Sequence, residues 1–130
     1  MEKSLQDKVA LVTGATRGIG RAIALTLGRE GATVIGTATT DAGADSITQA
    51  LAEAGIAGRG VVLDVAELSS IEAVLEQITT DFGAPLIVVN NAGITRDNLM
   101  LRMKEDEWQA VINTNLTAIF RVTKASLKGM

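Results

Sequence analysis

Residues 13–20 read TGATRGIG: three glycines and one arginine between an apolar run, Val9-Ala10-Leu11-Val12, and a stretch with helical periodicity. Glycines let the backbone turn sharply and approach a ligand with no Cβ in the way. A helix starting directly behind such a turn points unpaired N–H groups and the positive end of its dipole outward, the makings of an anion site. The spacing is Gly14-x3-Gly18-x-Gly20, not the common G-x-G-x-x-G. A glycine-rich turn without a ligand is the plain alternative. Placement between a first strand and a first helix favours a dinucleotide loop, which would be formed by Gly14, Ala15, Thr16, Arg17, Gly18, Ile19 and Gly20.

Which dinucleotide follows from the end of the second strand. A site for NAD places a carboxylate there to hold the ribose 2′-hydroxyl. This chain instead has Gly36-Thr37-Ala38-Thr39-Thr40. A 2′-phosphate is repelled by a carboxylate and held by guanidinium and hydroxyl donors. Arg17 alone would be a solvated loop arginine; with Thr39 and no acid beside it, the expected cofactor is NADP, as NADPH. Asp41 lies close in sequence and is expected to cap the next helix.

Two more strand ends carry small or polar residues. Asp64 and Val65 close the third strand, where a carboxylate suits an adenine amino group and equally suits a turn. Asn90-Asn91-Ala92-Gly93 closes the fourth, as backbone against a flat ligand or as an ordinary turn. Asn115 falls inside an apolar stripe, at i+7 from Trp108. A buried amide there needs partners for its donor and its acceptor, and neighbouring backbone at a helix distortion would serve.

The elements that must position these residues alternate. Val9 to Val12, and residues 33–37, 61–63 and 86–89, are short apolar runs, as expected of strands buried on both faces. Between them Ile19/Ala22/Ile23/Leu27, Ala44/Ile47/Leu51/Ala54 and Ile71/Val74/Leu75/Ile78/Phe82 each mark a helix face. Ser69 to Glu72 fits a capping box, and Gly31, Gly55 and Gly83 stand where helices should stop. A last stripe runs through Trp108, Val111, Ile112, Asn115, Leu116, Ile119 and Phe120, expected to be core or subunit interface. The fold class implied is α/β, a Rossmann-type doubly wound parallel sheet represented by its first four strands and their helices. A fifth strand should follow the last helix, so residues 1–130 are expected to be the dinucleotide-binding, N-terminal part of a longer single-domain protein.

Composition bounds the rest. The 130 residues are 47% hydrophobic, enough for a core, and carry a net charge of −3 that argues against nucleic acid or an anionic membrane as partner. No apolar run nears the roughly 18 residues of a membrane helix, and MEKSLQDK is no signal peptide. With no cysteine there is no thiolate chemistry and no zinc cage, no metal site is expected, and a cytoplasmic location fits. His and Tyr are both absent, so proton transfer by these residues alone would fall to Asp, Glu, Lys or water.

TGATRGIG, NNAG at 90–93 and Asn115 within NTNL, in this order along all 130 residues, resemble the classical short-chain dehydrogenase/reductases. Within that family, VIGTATT and NNAGITRDNLMLRMKEDEW are most similar to the bacterial branch that reduces 3-oxoacyl groups on acyl carrier protein in fatty-acid synthesis. The resemblance implies that Asp64 and Val65 grip adenine, and that Asn91, Ala92 and Gly93 line the adenosine and ribose side. It implies that Asn115 bends its helix and holds a water in a relay to a catalytic lysine. The family's Ser and Tyr-x-x-x-Lys groups come later than any position here. It also implies a homotetramer paired through the long last helix. Arg96, Arg102 and Lys104 could meet an acidic carrier, although a solvated loop accounts for them. Another short-chain reductase, acting on acyl-CoA, a sugar or an alcohol, or a non-catalytic dinucleotide-binding module, are the alternatives.

Overall fold

The computed structural model describes residues 3–93 and 100–129. Four strands, β1 (Val9–Val12), β2 (Thr33–Ala38), β3 (Gly58–Val62) and β4 (Ile87–Val89), alternate with helices α1 (Gly18–Arg29), α2 (Asp41–Glu53) and α3 (Leu68–Phe82). Two further helices follow, α4 (Glu105–Ile112) and α5 (Ala118–Leu127), joined by a π-helical turn at Asn113–Thr117. The strands are all parallel in the order β3-β2-β1-β4. The chain builds outward from β1 to β3, then crosses β1 to place β4 on its other side. That reversal puts the topological switch point at the carboxyl ends of β1 and β4.

Side chains alternate across a strand, so each strand feeds two cores. Val9 and Leu11 of β1 pack with Ile71, Leu75 and Ile78 of α3 and Val122 of α5. Ala10 and Val12 pack with Ala24 of α1 and Ile47 and Leu51 of α2. Helices thus cover both faces and the doubly wound architecture is met. β1 itself is fully buried, which explains its unbroken apolar run.

Several expectations need correction. The fully buried face of α1 is Gly20, Ala24 and Gly28, where the helix lies close against its neighbours. Of the expected stripe, Ile23 and Leu27 are half-buried against the same core, while Ile19 and Ala22 are exposed. A Cβ on Gly28 would stand 2.6 Å from Ile56 Cδ1. Strand β3 starts three residues earlier than its apolar run. Gly58 and Gly60 pair with Val34 and Gly36 of β2, and a Cβ on Gly60 would run into the Ala44 carbonyl of α2. Glycine here admits a helix backbone rather than weakening the strand.

Helix α3 begins at Leu68, before the supposed capping box at Ser69 to Glu72, and no side chain caps it. Its start is set by the turn at Asp64, whose Oδ1 accepts from Ala66 N–H at 2.9 Å and whose N–H donates to Ser70 Oγ at 3.2 Å. Asp41 likewise does not cap α2. Thr40 does, its Oγ1 accepting from Gly43 N–H at 3.0 Å, while Asp41 lies in the first turn. Gly31, Gly55 and Gly83 do follow helices, each at positive φ.

The last stripe is not core. Trp108, Leu116 and Phe120 are each more than half exposed, and the buried residues of α5 are Ala118, Val122 and Ser126. Within α5 the π turn explains the change: its added residue shifts the helical register, so Ala118, Val122 and Ser126 turn inward in place of Ile119 and Phe120. Among the described residues, no helix is long and apolar enough to cross a membrane.

Candidate functional site

The carboxyl ends of β1, β2 and β4 meet around one residue, Gly14. Its φ of +66° lies in the left-handed region, which glycine enters without strain. Its N–H donates to Thr37 Oγ1 of β2 at 3.2 Å, and its carbonyl accepts from Asn91 Nδ2, just beyond β4, at 2.9 Å. A Cβ on Gly14 would sit 3.0 Å from Ala92 Cα. Ala15, buried, donates its N–H to the Thr37 carbonyl at 3.0 Å.

Thr13 completes this hub. It is 1% exposed, and a buried hydroxyl must find partners. Its Oγ1 accepts from the N–H groups of Asn91 and Ala92, both at 3.0 Å, and is 3.4 Å from the Val89 carbonyl to which it donates. Thr13 and Thr37 are residues that the sequence reading did not single out. The available signal was a hydroxyl at the end of an otherwise apolar buried strand.

Past the hub the chain opens. Arg17 precedes α1 with extended backbone, φ −156° and ψ 174°, and no side chain caps the helix. The N–H groups of Gly18, Ile19 and Gly20, the first residues of α1, have no partner among the described residues. Gly18 has φ +61° and nothing within 4 Å of a would-be Cβ. A Cβ on Gly20 would strike the Gly14 carbonyl and the Asn91 amide, so glycine alone lets the helix start press against the loop. Arg17, Gly18 and Ile19 are exposed, and Thr16 is half-buried near the start of α2. Unpaired donors, a helix N-terminus, an exposed guanidinium and no carboxylate in the loop form a surface fit for a phosphate-bearing anion.

The remaining expected residues lie on the same rim with different commitments. Thr39 is exposed, directly before the Thr40 cap of α2. Asp64 is exposed with one carboxylate oxygen held by its own turn, while Val65 has its side chain in the core and its N–H without a described partner. The Asn91 side chain is committed to the glycine loop, so it braces the site rather than facing outward. Gly93 is exposed. Arg96 lies outside the described residues; Arg102 and Lys104 are exposed.

A groove of 710 Å³ between α3 and α5, lined by Leu75, Thr79, Phe120 and Lys124, also receives Ala84 and Pro85. Those two residues precede β4, while Leu68 and Glu72 of the same lining begin α3, so the groove runs along the α3–α5 face rather than at the rim around Gly14. Its polar lining is side chains, Arg121, Lys124 and Lys128 beside Glu72 and Glu76, rather than a glycine loop with its run of unpaired backbone donors.

The model of the short chain dehydrogenase family matches residues 8–130. The chain belongs to that family. Across 127 residues, 98% of the chain, it is 62% identical to the 3-oxoacyl-[acyl-carrier-protein] reductase FabG of Pseudomonas aeruginosa. Over the same span it is 58% identical to the reductase of that name from Vibrio harveyi and 54% to that of Escherichia coli. The chain spans about half the length of these curated relatives, 51% in each case.

For a short-chain dehydrogenase, a family of nicotinamide-dinucleotide oxidoreductases, the most telling local feature is the π turn. It carries Asn115 at its centre, so the sequence expectation of a distorted helix at this residue is met. Asn115 is only half-buried, and its Oδ1 would lie 2.7 Å from a Cβ on Gly93. The π turn thus sets the amide against the end of β4, beside the hub. Asn90 Nδ2 donates to Thr123 Oγ1 of α5 at 3.3 Å and ties the same two elements together.

Proposed function

We propose that this chain is the cofactor-binding part of an NADPH-dependent 3-oxoacyl-[acyl-carrier-protein] reductase. The observation that carries the reading is the 62% identity to a reductase of that name over 98% of the chain, together with a glycine loop that leaves three helix N–H groups unpaired. When bound, NADPH supplies the hydride that converts a β-carbonyl to an alcohol. The chain's own residues do the holding.

The donors of Gly18, Ile19 and Gly20 face the diphosphate, with Thr16 and Ala15 forming the loop wall. Arg17 and Thr39 select the 2′-phosphate, a discrimination that rests on opposite charge and the missing acid. Asp64 and the Val65 N–H take the adenine edge, and Ala92 and Gly93 let backbone lie flat against the adenosine ribose, braced by Asn91. Asn115 positions a water that feeds a proton relay; the serine, tyrosine and lysine of the family pattern would stand beyond residue 130. Residues 1–130 are then the dinucleotide-binding part of one reductase domain, cytoplasmic, with the outer face of α4 and α5 buried in a homotetramer and an acyl carrier protein delivering substrate.

The test is the rate of NADPH oxidation by the native protein with acetoacetyl thioesters of carrier protein and of CoA, against simple ketones. A preference for the carrier-bound thioester supports the reading. Equal or greater activity on ketones or sugars would move the protein to another branch of the family.

A further inference from the structure

We infer that Thr37 is a positioning residue for the phosphate loop: its buried hydroxyl fixes the Gly14 peptide, and with it the direction in which the first N–H groups of α1 point. The inference rests on the cofactor reading of that loop. Thr37 binds two successive loop N–H groups, Gly14 through Oγ1 at 3.2 Å and Ala15 through its carbonyl at 3.0 Å. Gly14 turns the chain at φ +66°, where a glycine has many other conformations open to it. Bonded to β2 on its N–H side and to Asn91 on its carbonyl side, its peptide planes have one orientation left.

Thr37 is 1% exposed and belongs to the well-packed β2. It is therefore a rigid anchor rather than a rim residue, and a ligand cannot reach it. The effect of its hydroxyl on binding passes through the Gly14 N–H. A diphosphate is common to NADPH and NADH, so Thr37 acts on both alike, whereas a 2′-phosphate contact acts on one.

The experiment compares wild type, Thr37→Val and Thr37→Ser in the native protein, reading Kd for NADPH and NADH by nicotinamide fluorescence well below each melting temperature. Valine keeps the shape and deletes the acceptor; serine keeps the acceptor. The expected result is a Kd raised about tenfold for both dinucleotides in Thr37→Val, and within about threefold of wild type in Thr37→Ser. Wild-type affinity in Thr37→Val overturns the inference, as does a loss confined to NADPH or an equal loss in Thr37→Ser. Should Thr37→Val not fold, amide exchange of the wild type decides: Gly14 N–H must exchange slowly and Gly18 N–H fast, and fast exchange at both contradicts the bond. If wild type binds neither dinucleotide, the cofactor reading falls, and the exchange measurement still reports separately on Thr37.

Discussion

The hub around Gly14 and the segment from α4 to α5 are built on opposite plans. At the hub, contact is between backbones: Gly20 admits the Gly14 carbonyl, Gly14 meets Ala92, and two buried threonines assign nearly every polar group a partner. Along α4 and α5, large apolar residues stand outward, with Phe120 64% and Leu116 62% exposed, and the inner face is held by Ala118, Val122 and Ser126. Precision in this molecule comes from small residues and hydroxyls. Its large side chains outside the two cores are left for a surface.

The hub should therefore be the more easily broken. The largest effect is expected for Gly20→Val, whose Cβ meets backbone that cannot withdraw; loss of the native near-UV signal, or of all dinucleotide binding, is the outcome to measure. Thr13→Val comes next. It leaves the Ala92 N–H without its acceptor and the Asn91 N–H with the Val89 carbonyl alone, for a cost of about 1–3 kcal/mol, readable as a lower midpoint in urea.

Gly93→Ala tests where the two regions touch. The added methyl stands 2.7 Å from Asn115 Oδ1, so the site should tighten against α5, with an expected cost of about 1–3 kcal/mol by overpacking. Pairing it with Asn115→Ala should recover part of that cost, and strictly additive losses would mean that the two residues do not meet. The smallest effect belongs to the outer face. Phe120→Ser should change the stability of a single chain by no more than about 0.5 kcal/mol, while lowering the assembly state seen by light scattering if this face is covered in the proposed tetramer.

Much of this was legible beforehand. β1 is an unbroken buried apolar run and β2 is buried beyond its first residue, and Ile47, Leu51, Ile71, Leu75 and Ile78 point inward as the periodicity of α2 and α3 requires. β3 and β4 are only half-buried, and β3 begins with Gly58-Arg59-Gly60 ahead of its apolar run. The glycine loop could be placed because its flanking strand and helix were both clear. What periodicity could not show was a helix face made of glycine and alanine, as in α1, since small residues carry little hydrophobic signal. Nor could it show the register change at Asn113–Thr117, because one inserted residue looks like continuous helix in sequence. The roles of Thr13 and Thr37 were hidden for a related reason: a β-branched residue in a strand fits packing alone, and only the neighbouring strand ends reveal the hydroxyl's task.

The central claim is that a dinucleotide's phosphates lie against the start of α1. Amide shift perturbation of the native protein, titrated with NADP, tests it most directly. The account predicts the largest shifts at Arg17, Gly18, Ile19 and Gly20, saturating at one equivalent. Shifts centred on the groove between α3 and α5, with those four amides unmoved, would contradict it.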